Sequence, residues 1–399
     1  MSVINNISGF NPSTNGSADA TLRMALASKN LRYVGIRGNP KSSVVLVGEA
    51  PGEKEDYKGL PFIGPSGYLL DKMLDEAGFH SSQTWFTNPY KTRPPDNKMD
   101  RLHELGIPLD LFHKQFFEEL EQWKPTIIIV CGKTPCNLLC PFTKPARTIR
   151  NPDEKKDGFG HWRGSLLTSP FLNWPHYIIP MYHPAFVLRN YSEREICIFI
   201  LTRAYEEYKY YTQNKALQPL PVRSITTTPS YNTVSTFLQR CITSSNPISV
   251  DIELLRRKVP YTISFAISPL EAISLSFWNY LPTELVSLWR LMDEIFRTKY
   301  QIGQNYTTFD AHWLRALGFS VNLSLVHDTL IRHHILWPGL RHKLEFQTMQ
   351  YTREPYYKEE GHSWSPKKGL DQLMKYNCKD TLVTYEIYNE QEREFAERR

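Results

Sequence analysis

An acidic, glycine-rich stretch is the first part of the chain whose residue types suggest chemistry. It follows the apolar run VVLV and spans residues 48–67, GEAPGEKEDYKGLPFIGPSG. Glycine-rich loops after strands often bind phosphate through backbone N–H groups, but the carboxylates here would repel an anion, and the stretch has no G-K-[ST] signature. Its ligand is therefore not expected to be a phosphate. Glu53, Glu55 and Asp56 are typical of solvated loops or helix caps, and a functional role for one of them beside Glu49 stays open.

Two further polar motifs follow in the same half of the chain. TNPYKTRPPDNK occupies residues 87–98 and HPAFVLRN residues 183–190. A single Phe, Asn or His more often serves packing or internal hydrogen bonding than function. Phe62, Asn88 and His183, however, belong to motifs that lie at or just after the ends of three strand-like runs, so a shared site is the better hypothesis.

The elements that must position these residues alternate between strand-like and helical patterns. The strand-like runs lie at 44–49, 84–88, 126–132 and 176–184. Such alternation predicts an α/β/α domain around a parallel sheet. Because sheets of this class bind ligands beyond the carboxyl ends of their strands, one site is expected to collect all three motifs.

The second half of the chain has a different pattern. The polar, proline-bearing stretch QNKALQPLPV is expected to be a linker at residues 213–222. After it, three closely spaced strand-like runs precede mainly helical sequence, which predicts an α+β domain. The expected organisation is a loose N-terminal segment (1–25), an α/β domain (26–212), the linker and an α+β domain (223–399).

Composition limits the class of protein. The chain has 399 residues, of which 41% are hydrophobic and 22% charged, so two globular cores are expected. A net charge of +6 with 13% aromatic residues favours an anionic, base-bearing partner such as nucleic acid. Six cysteines without a C-x-x-C pair, and no apolar N-terminal segment, predict a reduced cytoplasmic protein without a membrane anchor.

The three motifs of the first half resemble, in order, those of the uracil-DNA glycosylase superfamily, most closely the family 4 type, over roughly residues 30–210. The resemblance implies DNA repair by base excision, in which a flipped uracil stacks on Phe62 beside Gly48. The side-chain amide of Asn88 would read the polar edge of the base. His183 would donate a hydrogen bond to the uracil O2 as negative charge develops there.

The same resemblance implies roles for four more residues. Glu49 would orient the attacking water and favour the positive charge that develops on the sugar. Val187 and Leu188 would wedge into the gap left by the base, and Arg189 would contact a phosphate.

The chain departs from family 4 at the residues that bind an iron–sulfur cluster. One of the four expected cysteines lies between the Lys and Arg of the second motif, where this chain has Thr92. A pair expected near the N-terminus is also missing, because the first cysteine is Cys131. No cluster is therefore expected. Cys131, Cys136 and Cys140 are interpreted as buried structural thiols rather than metal ligands.

Three motifs of the second half, VDIEL (250–254), GQNYTTFDAHWL (303–314) and YNCKD (376–380), resemble those of DEDD 3′–5′ exonucleases with an RNase H-like fold, particularly the proofreading domains of family A DNA polymerases. In a strand, Asp251 and Glu253 would share a face, as would Tyr376 and Asp380 in a helix. Tyr376 would orient the attacking water and Asn305 would contact DNA. The expected ligands of two Mg²⁺ or Mn²⁺ ions are Asp251, Glu253, Asp310 and Asp380.

Together these motifs predict a bifunctional hydrolase that excises uracil from DNA and degrades DNA from 3′ ends. The pairing resembles the front of certain phage DNA polymerases, so a polymerase or replisome is an expected partner, in the host cytoplasm if the protein is phage-encoded. Both a free-standing protein and the N-terminal piece of a polymerase remain open. Two other hypotheses also remain: a uracil- or DNA-binding module that does not excise, and a replisome accessory with a decayed nuclease.

Overall fold

Four short strands of β-branched and aromatic residues form the centre of the N-terminal unit. The computed structural model describes residues 17–141, 159–255, 259–362 and 364–398, and the chain divides into two compact units, Met1–Gln218 and Pro219–Arg399. In the first unit the elements are α1 (Ala18–Ser28), β1 (Arg37–Gly38), β2 (Val44–Val47), α2 (Glu53–Lys58), α3 (Pro65–Glu76), β3 (Thr84–Thr87), α4 (Leu109–Trp123), β4 (Ile127–Cys131), α5 (Lys133–Leu139), α6 (Phe159–Trp162), β5 (Tyr177–Met181), α7 (Pro184–Arg189) and α8 (Arg194–Asn214).

The sheet of this unit has the order β1-β3-β2-β4-β5, with β1 antiparallel and the other four strands parallel. Every residue of β2, β3, β4 and β5 is buried, because helices cover both faces of the sheet. α4 presents apolar residues four apart to the sheet and ends at Lys124, whose backbone is left-handed, just before Pro125. The core contains Val45, Val47, Trp85, Phe116, Leu120, Ile128, Val130, Leu139 and Ile178.

The prediction of a loose segment over residues 1–25 is wrong for residues 18–25, because α1 begins at Ala18. Residues 1–16 lie outside the described residues. Leu22 and Leu26, four apart on α1, are fully buried. Asp19 in the first turn accepts hydrogen bonds from the Arg23 guanidinium and the Tyr33 hydroxyl, which fixes the start of the helix. The two leucines share a cluster with Tyr90, Leu102, Ile107 and Phe112.

The second unit is built on a six-stranded mixed sheet of order β11-β10-β7-β8-β9-β6. Its strands β7, β8 and β9 are antiparallel, and β10 runs parallel to β7 and β11. The elements are β6 (Ser224–Thr226), α9 (Tyr231–Thr243), β7 (Ile248–Leu255), β8 (Val259–Ser268), β9 (Glu271–Ser276), α10 (Pro282–Thr298), β10 (Gln301–Gly303), α11 (Asp310–Ala316), β11 (Val326–Asp328), α12 (Thr329–Leu336), α13 (Leu344–Tyr351), α14 (Glu359–His362) and α15 (Leu370–Glu397).

Polar contacts join the long helix α15 to this sheet. Ser249 on β7 donates to the Thr381 carbonyl at 2.8 Å, and Ser264 on β8 donates to the Asn377 carbonyl at 3.0 Å. Ser274 on β9 donates to the Asn377 side chain at 2.9 Å. Because serine is small, the helix lies close to the sheet, and all of these buried polar groups are paired.

The segment expected to be a linker overlaps the end of α8, which continues to Asn214. Residues 215–223 contain neither helix nor strand. Within the described part of the chain, every helix is too short or too polar to cross a membrane.

The packing of α1 predicts how its leucines contribute to stability. Leu26→Ala should lower the free energy of unfolding of the N-terminal unit by about 2–5 kcal/mol, because it leaves a cavity in a buried cluster. Met24→Ala on the same helix is the matched control, since this side chain is 73% exposed, and its effect should stay within about 0.5 kcal/mol. Urea denaturation measures both values. Equal effects of the two substitutions would contradict a docked α1.

Candidate functional site

The three motifs of the N-terminal unit meet at a cleft of about 510 Å³ beyond the carboxyl ends of β2, β3 and β5. Glu49 and Phe62 come from the segment after β2, and Asn88 follows β3 directly. His183 lies between β5 and α7. The cleft is lined by Glu49, Glu55, Phe62, Asn88, His183 and Arg189, among others.

Two glycines allow the close packing at the base of this cleft. A Cβ atom at Gly48 would lie 2.3 Å from Asn88 Oδ1 and 2.7 Å from Phe62 Cζ, so no larger residue fits there. Phe62 has a left-handed backbone with φ of 56°. A Cβ atom at Gly67 would lie 1.9 Å from the Phe62 carbonyl oxygen. Glycine at both positions is therefore what permits Phe62 and Asn88 to lie side by side.

The Phe62 ring is buried, and its centroid is 6.0 Å from that of the His183 ring, with 23° between the planes. Asn88 is only 4% exposed. An aromatic face and an amide edge thus lie in one small, partly enclosed space. That arrangement suits a flat polar ring such as a nucleobase.

A buried ion pair supports the segment that carries Asn88, and the sequence analysis did not identify it. Lys91 Nζ lies 2.8 Å from Glu119 Oε2 on α4 and 2.5 Å from the Thr87 hydroxyl oxygen. Lys91 is fully buried, and this burial lowers its pKa, although Glu119 opposes the shift. Since removing one member of a buried pair typically costs about 3–5 kcal/mol, the pair ties the Asn88 segment firmly to α4.

His183 is held as a neutral hydrogen-bond donor. Its Nδ1 accepts the Ala185 N–H at 3.1 Å, in the position that caps α7. Burial, assisted by the positive charge of Arg189, lowers the pKa of His183 to about 4. A neutral imidazole whose Nδ1 accepts a hydrogen bond carries its proton on Nε2. The ring can therefore donate from Nε2 without being charged.

Of the acidic residues in the loop, Glu49 and Glu55 line the cleft. Glu55 Oε2 accepts the Gly52 N–H at 2.7 Å, so it caps α2, in line with the interpretation of these carboxylates as caps. The Glu49 side chain accepts a hydrogen bond from the Thr134 hydroxyl. Thr134 was not among the predicted site residues.

One of the two expected wedge residues is not available. Val187 is fully buried on the inner side of α7, whereas Leu188 is 45% exposed. The expectation that both residues enter a gap in DNA is corrected for Val187, because its side chain packs inward from α7 and has no exposed surface. Arg189 lines the cleft beside His183.

A second cluster of functional groups lies in the other unit. Asp251 and Glu253 on β7 and Asp380 on α15 each place a carboxylate oxygen within 4.8 Å of the others. Asp310 adjoins them, since its Oδ1 accepts the Ile252 N–H at 3.0 Å. Burial and the Asp380 charge raise the pKa of Asp251 to about 8, and burial raises the pKa of Glu253 and Asp310 as well.

Among the described residues, Lys358 supplies a cation to this cluster, and the sequence analysis did not identify it. Lys358 Nζ lies 2.6 Å from Asp380 Oδ2 and 3.1 Å from the Tyr376 hydroxyl oxygen. Tyr376 and Asp380 therefore do share a face of α15. Tyr357 also donates to Asp380, at 2.7 Å. Asn377 Nδ2 donates to Asp251 Oδ2 at 2.6 Å and so joins α15 to β7.

Asn305, expected to contact DNA, has a left-handed backbone with φ of 58°. Its N–H donates to Asp328 Oδ1 at 3.0 Å, and its side chain accepts from the Thr308 hydroxyl at 2.6 Å. Both contacts fix the residue in the turn that precedes Asp310.

Comparison with known proteins places the first unit in context. Residues 36–206 match the family model described as the uracil DNA glycosylase superfamily. The type-4 uracil-DNA glycosylase of Archaeoglobus fulgidus is 33% identical over 164 residues, which cover 41% of this chain and 75% of that protein. The type-4 enzyme of Saccharolobus solfataricus is 31% identical over 160 residues, covering 40% and 68%. That of Thermotoga maritima is 31% identical over 157 residues, covering 39% and 71%.

The environment of His183 predicts its titration. In an NMR titration its pKa should be about 4, compared with about 6.5 for an unperturbed histidine, because burial disfavours the charged ring. The ring should therefore stay neutral until the pH falls through about 4. Arg189→Ala should raise this pKa partway towards the usual value, since only the smaller of the two causes is removed. A pKa near 6.5 in the unmodified protein would contradict the arrangement described.

Proposed function

Because the chain belongs to the uracil DNA glycosylase superfamily, we propose that its N-terminal unit hydrolyses the N-glycosidic bond of deoxyuridine in DNA. The observation that carries this proposal is the convergence of Glu49, Phe62, Asn88 and His183 on one cleft. These side chains offer a stacking surface, a base-edge reader, a neutral donor and a carboxylate. Each corresponds to one requirement of base excision.

Recognition of the base rests on Phe62 and Asn88. The flipped uracil stacks on the Phe62 ring, while the Asn88 amide donates to O4 and accepts from N3–H. Cytosine has an amino donor and a ring-nitrogen acceptor at these two places, so both hydrogen bonds would be reversed. The choice between the bases therefore depends on how the Asn88 amide is held, and the Lys91–Glu119 pair supports its segment.

Bond cleavage rests on His183 and Glu49. As the bond breaks, negative charge collects on the uracil O2, and the His183 Nε2–H donates to it within a buried site where such a bond is strong. Glu49 orients the attacking water and favours the positive charge on the sugar. Leu188 then fills the space vacated by the base, and Arg189 contacts a phosphate.

The residues present do not fit the iron–sulfur cluster that the type-4 resemblance implies. The position of the second-motif cysteine is occupied by Thr92, which is buried. All six cysteines are buried, and within the described part of the chain no three of them lie close enough together to hold a metal ion. Instead, the apolar cluster around Leu22 and Leu26 packs beside the second motif. No step of the reaction uses a cluster, and its absence stays a prediction.

The proposal predicts distinct effects of three substitutions on uracil release from a uracil-containing oligonucleotide. His183→Ala should lower the single-turnover rate by about 10²–10³-fold, the usual effect of losing one oxyanion donor. Glu49→Ala should lower it by at least about 10²-fold. Asn88→Ala should in addition reduce the preference for uracil over cytosine, because the base edge is no longer read.

The matched control is Glu53→Ala, which removes a 78% exposed carboxylate from the same loop and should leave the rate unchanged. DNA affinity should vary less than about threefold across the set, since phosphate contacts dominate binding. A protein that binds DNA normally but releases no uracil would instead be the non-excising module considered above.

For the second unit we infer a metal-dependent 3′–5′ exonuclease. The specific support is the gathering of Asp251, Glu253 and Asp380 within 4.8 Å, with Asp310 beside them. Oxygen ligands of this kind suit Mg²⁺ or Mn²⁺, and these four residues would hold the ions. When bound, such ions stabilise charge on the attacking and leaving oxygens of a phosphodiester.

The remaining residues of this site have roles that need no metal. Tyr376 orients the attacking water through its hydroxyl, and Asn305 contacts the DNA strand. Lys358 neutralises part of the acidic charge through its ion pair with Asp380, and a bound cation would compete with it for that carboxylate. Substrates of the whole chain would be uracil-containing DNA and 3′ ends, and a DNA polymerase or replisome is the proposed partner.

The two activities should separate cleanly. On a 5′-labelled, uracil-containing strand with Mg²⁺, Asp251→Ala or EDTA should abolish shortening from the 3′ end, while uracil release continues because it needs no metal. Asp371→Ala, which removes an exposed carboxylate at the start of α15, is the control and should shorten the strand normally. Two results would contradict the exonuclease proposal: shortening of the strand by the Asp251→Ala protein, or no shortening of the strand by the unmodified protein.

A further inference from the structure

The segment after β4 contacts the cleft residue Glu49 through Thr134, although β4 carries none of the three motifs. β2 and β4 are parallel neighbours, with Val47 opposite Val130. Glu49 lies just beyond the end of β2 and Thr134 just beyond the end of β4. Because the carboxyl ends of parallel strands share one edge of a sheet, these two residues emerge side by side.

Gly132 makes the turn that brings Thr134 there. Its backbone φ of 105° is one that residues with a side chain rarely adopt, and its N–H donates to the Met181 carbonyl at 2.9 Å. The chain therefore turns sharply from β4 into α5, and Thr134 falls in the first turn of that helix.

The Thr134 hydroxyl donates a hydrogen bond to Glu49 Oε1. The backbone of Glu49 is held separately, since its carbonyl accepts the Tyr90 N–H at 3.4 Å. A glutamate has three side-chain torsions, and one hydrogen bond to Oε1 selects among them. Glu49 also lines the cleft, so the bond from Thr134 orients a carboxylate at the proposed site.

We propose that Thr134 is a positioning residue that orients the Glu49 carboxylate for the attacking water. This inference rests on the proposed uracil excision and adds to it a residue outside the three motifs. Thr134 does not touch the base or the water. It acts by holding the acceptor oxygen in place, so its loss should reduce the fraction of Glu49 in the productive orientation and leave DNA binding alone.

The test compares single-turnover uracil release by Thr134→Val, Thr134→Ser and Thr126→Val. Valine keeps the shape of threonine without its hydroxyl, and serine keeps the hydroxyl. Thr126, next to the other end of β4, is the matched control, because its buried hydroxyl has no hydrogen-bond partner among the described residues.

Thr134→Val should lower the maximal rate of uracil release by about 10–100-fold, while the DNA concentration that gives half of the maximal rate stays unchanged. Thr134→Ser and Thr126→Val should stay within about threefold of the unmodified protein.

A double-substitution cycle separates positioning from a general structural effect. In a Glu49→Ala background, Thr134→Val should cause no further loss, because the group that it positions is gone. A further loss of the same factor would overturn the inference, as would normal activity of Thr134→Val or a Thr134→Ser protein that is equally impaired. If Thr134→Val lowers the melting temperature markedly, Thr134→Ala is put through the same cycle. An unmodified protein that releases no uracil would overturn the proposed function itself.

Discussion

The close approach of three chain segments at Gly48 is the constraint on which the cleft depends. Any side chain at this position would overlap both Asn88 and Phe62. The left-handed backbone of Phe62 is unfavourable by itself, and the absence of a side chain at Gly67 leaves room for the Phe62 carbonyl in that conformation. The positions of the Phe62 ring and the Asn88 amide are therefore set by backbone geometry, and His183 and Glu49 are placed beside them by the segments after β5 and β2.

The four parallel strands of the first unit and the three motif positions were predictable, because runs of β-branched residues and polar strand ends leave a clear pattern, whereas the two-residue strand β1 was not predicted. The antiparallel strands, α10 and β10 of the second unit follow from similar runs. α1 was missed because the composition around it is polar, although Leu22 and Leu26 have helical spacing. The short strands β6 and β11 have too few residues to show any periodicity.

Residues that act through one distant partner could not be found from the sequence. Three contacts join segments that are distant in the sequence and meet only in the folded chain: Lys91 with Glu119, Thr134 with Glu49, and Lys358 with Asp380. No local spacing in the sequence predicts such contacts. The difference in exposure between Val187 and Leu188 could not be predicted for a similar reason. Adjacent apolar residues look alike in the sequence, and only the docking of α7 decides which one is exposed.

The polar contact between α15 and its sheet has a consequence for how accurately the acidic cluster is assembled. Apolar surfaces can slide by small amounts at little cost, whereas hydrogen bonds are directional and lose strength steeply when misaligned. Asn377 bonds to β7, β8 and β9 at once, and it lies one helical turn before Asp380. These hydrogen bonds therefore fix the position of α15 along its axis relative to the sheet. As a result, Asp380 on α15 lies at a defined level beside Asp251 on β7.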